Sequence, residues 1–422
     1  NKRLTVWLPV IIAASIALGI FIGNHYLSIS QGKKRSYSSG NKINAILDII
    51  DEQYVDTVSM SKLVESTIPK IFSELDPHSV YIPAEDASVV NEELEGSFSG
   101  IGVSFNMQTD TILVISVISG GPAEKAGLLP FDRIISINDS IFSGKKKNQG
   151  EIMKTLRGAK NSTVKLGVQR GNSPELLYFD VTRGDVPVNS VDVSYEAAKG
   201  IGYIKVSKFA RNTYNEFITA IAKLKQAGCT SFVIDLRGNT GGYMDAAINM
   251  INEFMPEGRL IVYTEGKSFP RSDVYANGTG TCKDAPIVVL TDEISASASE
   301  IFSGAIQDND RGTIIGRRTY GKGLVQTQMS LSDGSEMRLT IARYYTPSGR
   351  CIQKKYEMGN TDAYDQDIYN RYMHGEFDSA DSIKMDDSLK YQTVGGRTVY
   401  GGGGIMPDIF IPRDTSGVTS YY

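Results

Sequence analysis

Two uninterrupted apolar runs constrain this chain most. "SFVIDLR" (Ser231 to Arg237) and "PIVVLT" (Pro286 to Thr291) each lack the alternation of a half-exposed strand. Apolar residues on both sides of an extended backbone require a sheet covered on both faces. Helical patterns lie around them: Thr213 to Gln226, about Met244 to Phe254, and about Ala296 to Gln307. Strands alternating with helices predict an α/β core with parallel strands from about residue 201. "GTIIGRR", "LVQTQMSL" and "EMRLTIARYY" are expected to complete the same sheet.

The preceding stretch has a different texture. From about Gly96 to Thr182, short strand-like runs alternate with glycine turns, with two short helices at "GPAEKAGL" and "QGEIMKTLRG". This predicts a small β-rich domain. Upstream, residues 41–95 carry helical stripes such as Ile43, Ile46, Leu47 and Ile50 until "ELDPHSVYIP" breaks the pattern. Residues 354–392 are polar and rich in Tyr and Asp, and predict a flexible surface insertion before "GGGGIMPDIFIP".

Leu4 to Ile22 carries no charge over 19 residues. As a helix it would span roughly 28 Å, about a bilayer core. No small-residue cleavage site clearly follows, so an uncleaved transmembrane signal-anchor over 1–23 is favoured over a signal peptide, with a tether over 24–40. Lys2 and Arg3 on one side compete with Lys33, Lys34 and Arg35 on the other, so charge alone does not orient the span.

Composition narrows the chemistry. A net charge of −4 gives no reason to expect nucleic acid. Three widely spaced cysteines, Cys229, Cys282 and Cys351, form neither a disulfide framework nor a zinc site. Only three histidines occur, His25, His78 and His374. His25 abuts the apolar segment, His78 lies far upstream, and His374 sits in a polar stretch. A serine–histidine device is therefore poorly supplied, and no metal or cofactor is expected.

Serines, by contrast, cluster. "SASASE" (Ser295 to Glu300) follows the buried strand and opens a helix, where free N–H groups and the helix dipole favour developing negative charge. At 100° per residue Ser295 and Ser299 would share one face and Ser297 the other. Ser297 with Glu300 also fits a capping box, a purely structural role. Without a histidine, a lysine is the remaining base, provided burial lowers its pKa. "GKGLVQ" supplies Lys322 between two glycines at the start of a strand, with Gln326 on the same face. Alone, Lys322 reads equally as a surface charge at a turn. "DLRGNTGG" (Asp235 to Gly242) follows a strand and frees backbone N–H groups for an oxyanion or an anion. A phosphate loop is the rival, but G-K-[ST] is missing.

Together, "DLRGNTGG", "SASASEIFSGAIQD", "GKGLVQ", "YYTPSGRCIQ" and "GGGGIMPDI", with "LDPHSVYIP" and "SFSGIGVSF" upstream, closely resemble the C-terminal processing peptidases, or tail-specific proteases. The resemblance runs in order from about residue 41 to 413. It implies a ClpP/crotonase-like α/β protease core over 185–353 and 393–413, with an inserted-type PDZ domain over 96–184. It also implies Ser297 as nucleophile, Lys322 as base and Gln326 as its assistant. The oxyanion donors would be the N–H of Ala298 and that of Gly241 or Gly242; family members often carry an extra glycine here, so the choice stays open. In the PDZ domain, Gly100, Ile101, Gly102 and Val103 would form the carboxylate-binding loop. Ile152 and Leu156 would either line the groove for a substrate's last side chain or be plain core. The implied partners are protein or peptide substrates with a free C-terminus, the membrane through the N-terminal helix, and an adaptor or a second copy of the chain. The implied location is the bacterial inner membrane, single-pass, with the catalytic part on the periplasmic side. A non-catalytic peptide-binding scaffold and a nucleotide-binding enzyme are the competing classes.

Overall fold

In a computed structural model, described for residues 13, 15–16, 39–108, 111–141 and 149–414, the two apolar runs lie side by side. Ser231–Asp235 and Ile287–Thr291 form the middle of a six-stranded sheet, in the order Val191–Ala198, Ile201–Val206, Ser231–Asp235, Ile287–Thr291, Thr313–Gly316, Ile409–Phe410. All neighbours are parallel except the first pair. Three helices, Thr213–Gln226, Met244–Asn252 and Ala298–Asp308, bring Phe217, Phe254 and Phe302 together with Phe232 in an edge-to-face cluster. Burying each ring stabilises the fold by about 2–3 kcal/mol.

The helix Ala298–Asp308 is buried on every side. That explains the density of small residues at its start. A Cβ on Gly304 would lie 2.6 Å from Thr346 Cγ2, so the neighbouring Thr346 side chain comes too close for a larger residue. The helix starts two residues later than its sequence pattern predicts, because Ser295 and Ala296 belong to the preceding turn.

The later strands do not all join that sheet. Leu324–Ser330 and Glu336–Tyr345 build a second, five-stranded sheet with Val80–Ile82, Leu260–Glu265 and Ser272–Tyr275. Apolar periodicity gives a strand's inward face but not which sheet it joins. Val80–Ile82 comes from the "PHSVYIP" stretch and pairs antiparallel with Glu336–Arg338. The upstream region is thus not purely helical.

The β-rich domain has its own sheet, Val103–Gln108, Thr111–Val117, Arg133–Ile137, Thr163–Gln169 and Leu176–Thr182, with Ser140–Ile141 beside Arg133–Ile137. Its entry and exit segments, Ser97–Gly100 and Gly184–Pro187, pair antiparallel. The stretch expected to be a flexible insertion is ordered: it holds helix Thr361–Met373 and strand Lys390–Gln392, which pairs with Thr398–Tyr400.

The chain divides into two units at Ile68 and Pro69. The first contains helix Ser39–Gln53 and the start of Met60–Ser73, with Ile43 and Ile46 about half exposed. All else described here lies in the second. Among the described residues no helix is long and apolar enough to cross a membrane; most of the expected span over 1–23 and of the tether over 24–40 lies outside the described residues.

Candidate active site

The turn between strand Ile287–Thr291 and helix Ala298–Asp308 sorts the three serines. Ser295 is fully buried, donates from Oγ to the Leu236 carbonyl at 2.8 Å and accepts the Asp292 N–H at 3.0 Å. Ser299 is also buried and donates to the Asn239 carbonyl at 2.9 Å. Ser297 differs. It stands at the helix N-cap with φ 54° and ψ −114°, and its carbonyl accepts the Glu300 N–H at 2.8 Å. A non-glycine residue there carries roughly 1–3 kcal/mol of strain, which tight surroundings must hold in place. The turn, rather than helical periodicity, separates Ser297 from its neighbours.

Glu300 does the holding. It is fully buried, and its two carboxylate oxygens accept four hydrogen bonds. Oε2 takes the Ser297 and Lys322 N–H groups, both at 2.8 Å. Oε1 takes the Gly321 N–H at 2.8 Å and the Thr319 hydroxyl at 2.6 Å. The glutamate half of the expected capping box is thus made, and extended to a second loop. Burial pushes the Glu300 carboxyl up to about 7, against the pull of these donors. Three of the four are backbone N–H groups that can only donate, so the network suits the carboxylate. Tyr344, buried, donates its hydroxyl to the carbonyls of both Ser297 and Lys322.

Lys322 follows on that second loop. Its Nζ has one hydrogen bond, to Gln326 Oε1 at 3.3 Å, and no carboxylate within ion-pair distance among the described residues. Burial holds the ammonium below the ordinary lysine range; Arg338 adds to this, while Glu300 and Asp76 oppose it. Gln326 in turn donates from Nε2 to the His78 carbonyl.

The glycine loop closes over the serine. Asn239, buried, donates to the Val206 carbonyl and accepts the Gly241 N–H at 2.8 Å. Gly241 has φ 103°, and a Cβ there would lie 2.7 Å from Ser297 Cβ and 3.0 Å from Ala298 N. Gly242 has φ 139°, and a Cβ would lie 2.1 Å from the Phe209 carbonyl oxygen. Both positions therefore require glycine. The N–H groups of Gly242 and Ala298 are left without a partner among the described residues, whereas that of Gly241 is engaged.

Ser297, Lys322, Gln326, Gly241 and Gly242 all line one cleft of about 520 Å³. A second groove, about 220 Å³, opens on the β-rich domain between Ile101, Gly102 and Val103 and the helix Gln149–Leu156. Leu156 lines it, but Ile152 does not. Ile152 is fully buried in the domain core, and Met153, with Phe98 and Arg157, takes the expected place on the groove wall. Gly100 also lies off the groove; a Cβ there would press on the Phe98 ring at 2.8 Å. The i, i+4 stripe could not reveal this, because the tilt of an eight-residue helix decides which neighbour faces out. The three cysteines are free thiols.

Known proteins resemble this chain in both of these domains. Residues 200–362 match the model of peptidase family S41, and residues 99–192 match a PDZ domain. Carboxy-terminal processing protease CtpB of Bacillus subtilis (strain 168) is 35% identical over 318 residues, covering 75% of this chain and 66% of that protein. A probable CtpA-like serine protease of Staphylococcus aureus (strain N315) is 33% identical over 355 residues, covering 83% and 70%. The chain thus spans about two thirds of the length of these relatives. Among solved structures, the photosystem II D1 C-terminal processing protease aligns over 89% of this chain and 94% of its own at 24% identity, with a TM-score of 0.44. On a third of its residues shared over 83% of its length, the chain belongs to the carboxy-terminal processing serine proteases of peptidase family S41, with a PDZ domain.

Proposed function

We propose that the chain is a serine endopeptidase that recognises substrate C-termini through its PDZ domain and cuts with a Ser297–Lys322 dyad. One observation carries this reading: a half-buried lysine with no carboxylate in ion-pair distance among the described residues shares a cleft with a serine held at a strained helix N-cap. Desolvation lowers the Lys322 ammonium below the ordinary lysine range, which favours the neutral amine that a base needs. The amine takes the Ser297 proton as Oγ attacks the scissile carbonyl. The Gly242 and Ala298 N–H groups then receive the oxyanion, a role left to Gly242 because Asn239 already occupies Gly241. Lys322 passes the proton to the departing amine, and the acyl-enzyme forms. A water, deprotonated by the same lysine, attacks the ester and releases the acid and Ser297.

In this reading Ile101, Gly102 and Val103 capture the terminal carboxylate, and Met153 and Leu156 receive the last side chain. The ClpP/crotonase-like descent of the core, the membrane anchor over 1–23 and an extracytoplasmic site at a bacterial inner membrane are part of the same proposal. So is binding of an adaptor or of a second copy of the chain.

The test uses an unfolded protein with an apolar C-terminus. Ser297→Ala and Lys322→Ala should each lower kcat/KM by about 10,000-fold or more at neutral pH. Ser295→Ala and Ser299→Ala should keep the chemistry while losing about 1–3 kcal/mol of stability, since each leaves a buried carbonyl short of a donor. Activity retained in Ser297→Ala would remove the dyad reading and leave a peptide-binding scaffold.

A further inference from the structure

The polar helix Thr361–Met373 reaches the lysine from two sides. Tyr364, 2% exposed, is its contact residue. On one side the Tyr364 hydroxyl meets Gln353 Nε2 at 3.3 Å, and Gln353 Oε1 accepts the N–H of Gly323, next to Lys322. On the other side the same hydroxyl lies 2.8 Å from His78 Nε2, with the rings edge to face at 5.2 Å. The His78 carbonyl accepts Gln326 Nε2, and Gln326 Oε1 accepts Lys322 Nζ.

We infer that Tyr364 and His78 are positioning residues for the base: together they fix the Gln326 amide with its oxygen, rather than its nitrogen, toward Lys322. The inference rests on the dyad reading of the cleft.

Hydrogen-bond polarity fixes both amides of the relay. Gln353 must present Nε2 to Tyr364, because its Oε1 already serves Gly323. The Tyr364 hydroxyl, which also meets the Tyr320 hydroxyl, holds His78 Nε2 in either tautomer of the neutral imidazole. Burial, and then the Lys322 charge, push this imidazole down to about 4, so it stays neutral. Asp76 pulls the other way and Lys354 adds to the depression. Asp76 also anchors the turn, accepting the His78 and Ser79 N–H groups and the Thr340 hydroxyl. The His78 carbonyl therefore stands at a fixed point, and only an N–H can meet it. A flipped Gln326 would turn N–H groups toward the amine and oppose its approach. Held as it is, the Gln326 oxygen takes one amine hydrogen and aims the lone pair elsewhere, toward the serine's cleft. Of the charged groups acting on Lys322, Arg338 and Glu300 lie outside this relay, and Asp76, which anchors the His78 turn, keeps its own hydrogen bonds when the Tyr364 hydroxyl is removed.

The experiment compares Tyr364→Phe and His78→Leu with wild type, using a fluorogenic peptide with an apolar C-terminus across pH. Both variants keep the His78 carbonyl but lose the bond that steadies it. The expected result is kcat lower by about 10-fold with KM nearly unchanged. The acid limb of the rate should also move up by about half a pH unit, as a looser amine regains solvent. Tyr369→Phe, exposed on the same helix, should behave as wild type. Wild-type kcat and an unshifted limb in Tyr364→Phe would overturn the inference. So would a lower kcat accompanied only by a lower Tm, with the limb unmoved. If His78→Leu fails to fold, Tyr364→Phe alone decides, since it deletes a single oxygen. Ser297→Ala and Lys322→Ala run in parallel separate the two failures. Should they remain active, the dyad and this relay fall together. Should they be dead while Tyr364→Phe is normal, only the relay falls.

Discussion

The cleft and the PDZ groove solve different problems with different materials. In the cleft, backbone presses on backbone: Gly241 against Ser297, Gly242 against Phe209, and Glu300 tying two loops through three N–H groups. In the groove the walls are side chains, Phe98, Met153 and Leu156, that can rotate and repack. A site that must aim atoms has no slack, whereas a site that must accept varied chain ends keeps some.

Two glycine substitutions would break this contrast most visibly. Gly242→Ala should lower kcat/KM by at least about 100-fold, because its Cβ can be admitted only by moving backbone. Gly100→Ala, whose Cβ meets only the Phe98 ring, should cost about 1 kcal/mol or less and leave kcat unchanged. Equal effects in steady-state assays would mean the two sites are equally soft.

Glu300→Gln comes next. An amide nitrogen would face N–H groups that can only donate. The expected result is a 10- to 100-fold loss in kcat, estimated as roughly 1–3 kcal/mol for unpaired buried donors, with a lower denaturation midpoint. The groove wall has an ion pair of its own, Arg157 with Glu92 at 3.1 Å, but it bonds neither the serine turn nor the lysine loop, so breaking it should not lower kcat this way.

The pH response sharpens the same difference. The proposed dyad needs neutral Lys322, so activity should fall as pH drops through a pKa held below 10.5. Stability should rise with pH between that lowered value and 10.5, because the unfolded lysine binds a proton that the buried one resists. Lys322→Met should remove that slope in denaturation curves, while peptide binding to the groove stays unaffected.

The smallest effects belong to the groove. Leu156→Ala should raise KM about 10-fold at constant kcat. Ile152→Val should leave KM alone and cost about 1 kcal/mol of stability, because Ile152 packs inside. A KM effect from Ile152→Val would return it to the groove wall.

What was legible in the sequence was what is local. Ser297, Lys322 and the glycine pair sit in short motifs at strand ends, and the covered strands announced themselves as unbroken apolar runs. Glu300 was visible only as half of a capping box, since its other partners, Thr319 to Lys322, belong to a distant loop. Strands Leu324–Ser330 and Glu336–Tyr345 were placed in the wrong sheet because pattern fixes a strand's face and not its neighbours. The helix Thr361–Met373 escaped because only Tyr364 and Arg371 are buried along it, so it lacks an apolar stripe. His78 looked remote because sequence distance was taken for spatial distance.

The bond between Gln326 and the His78 carbonyl joins residues 248 positions apart. During synthesis from the N-terminus, His78 emerges long before the amide it will hold, and the clamping Tyr364 emerges later still. Until that tyrosine is out and folded, the amine that would drive cleavage lacks its fixed bearing. On the dyad and relay proposed above, a nascent chain with a complete serine turn is expected to be still a poor cutter of the unfolded polypeptide around it.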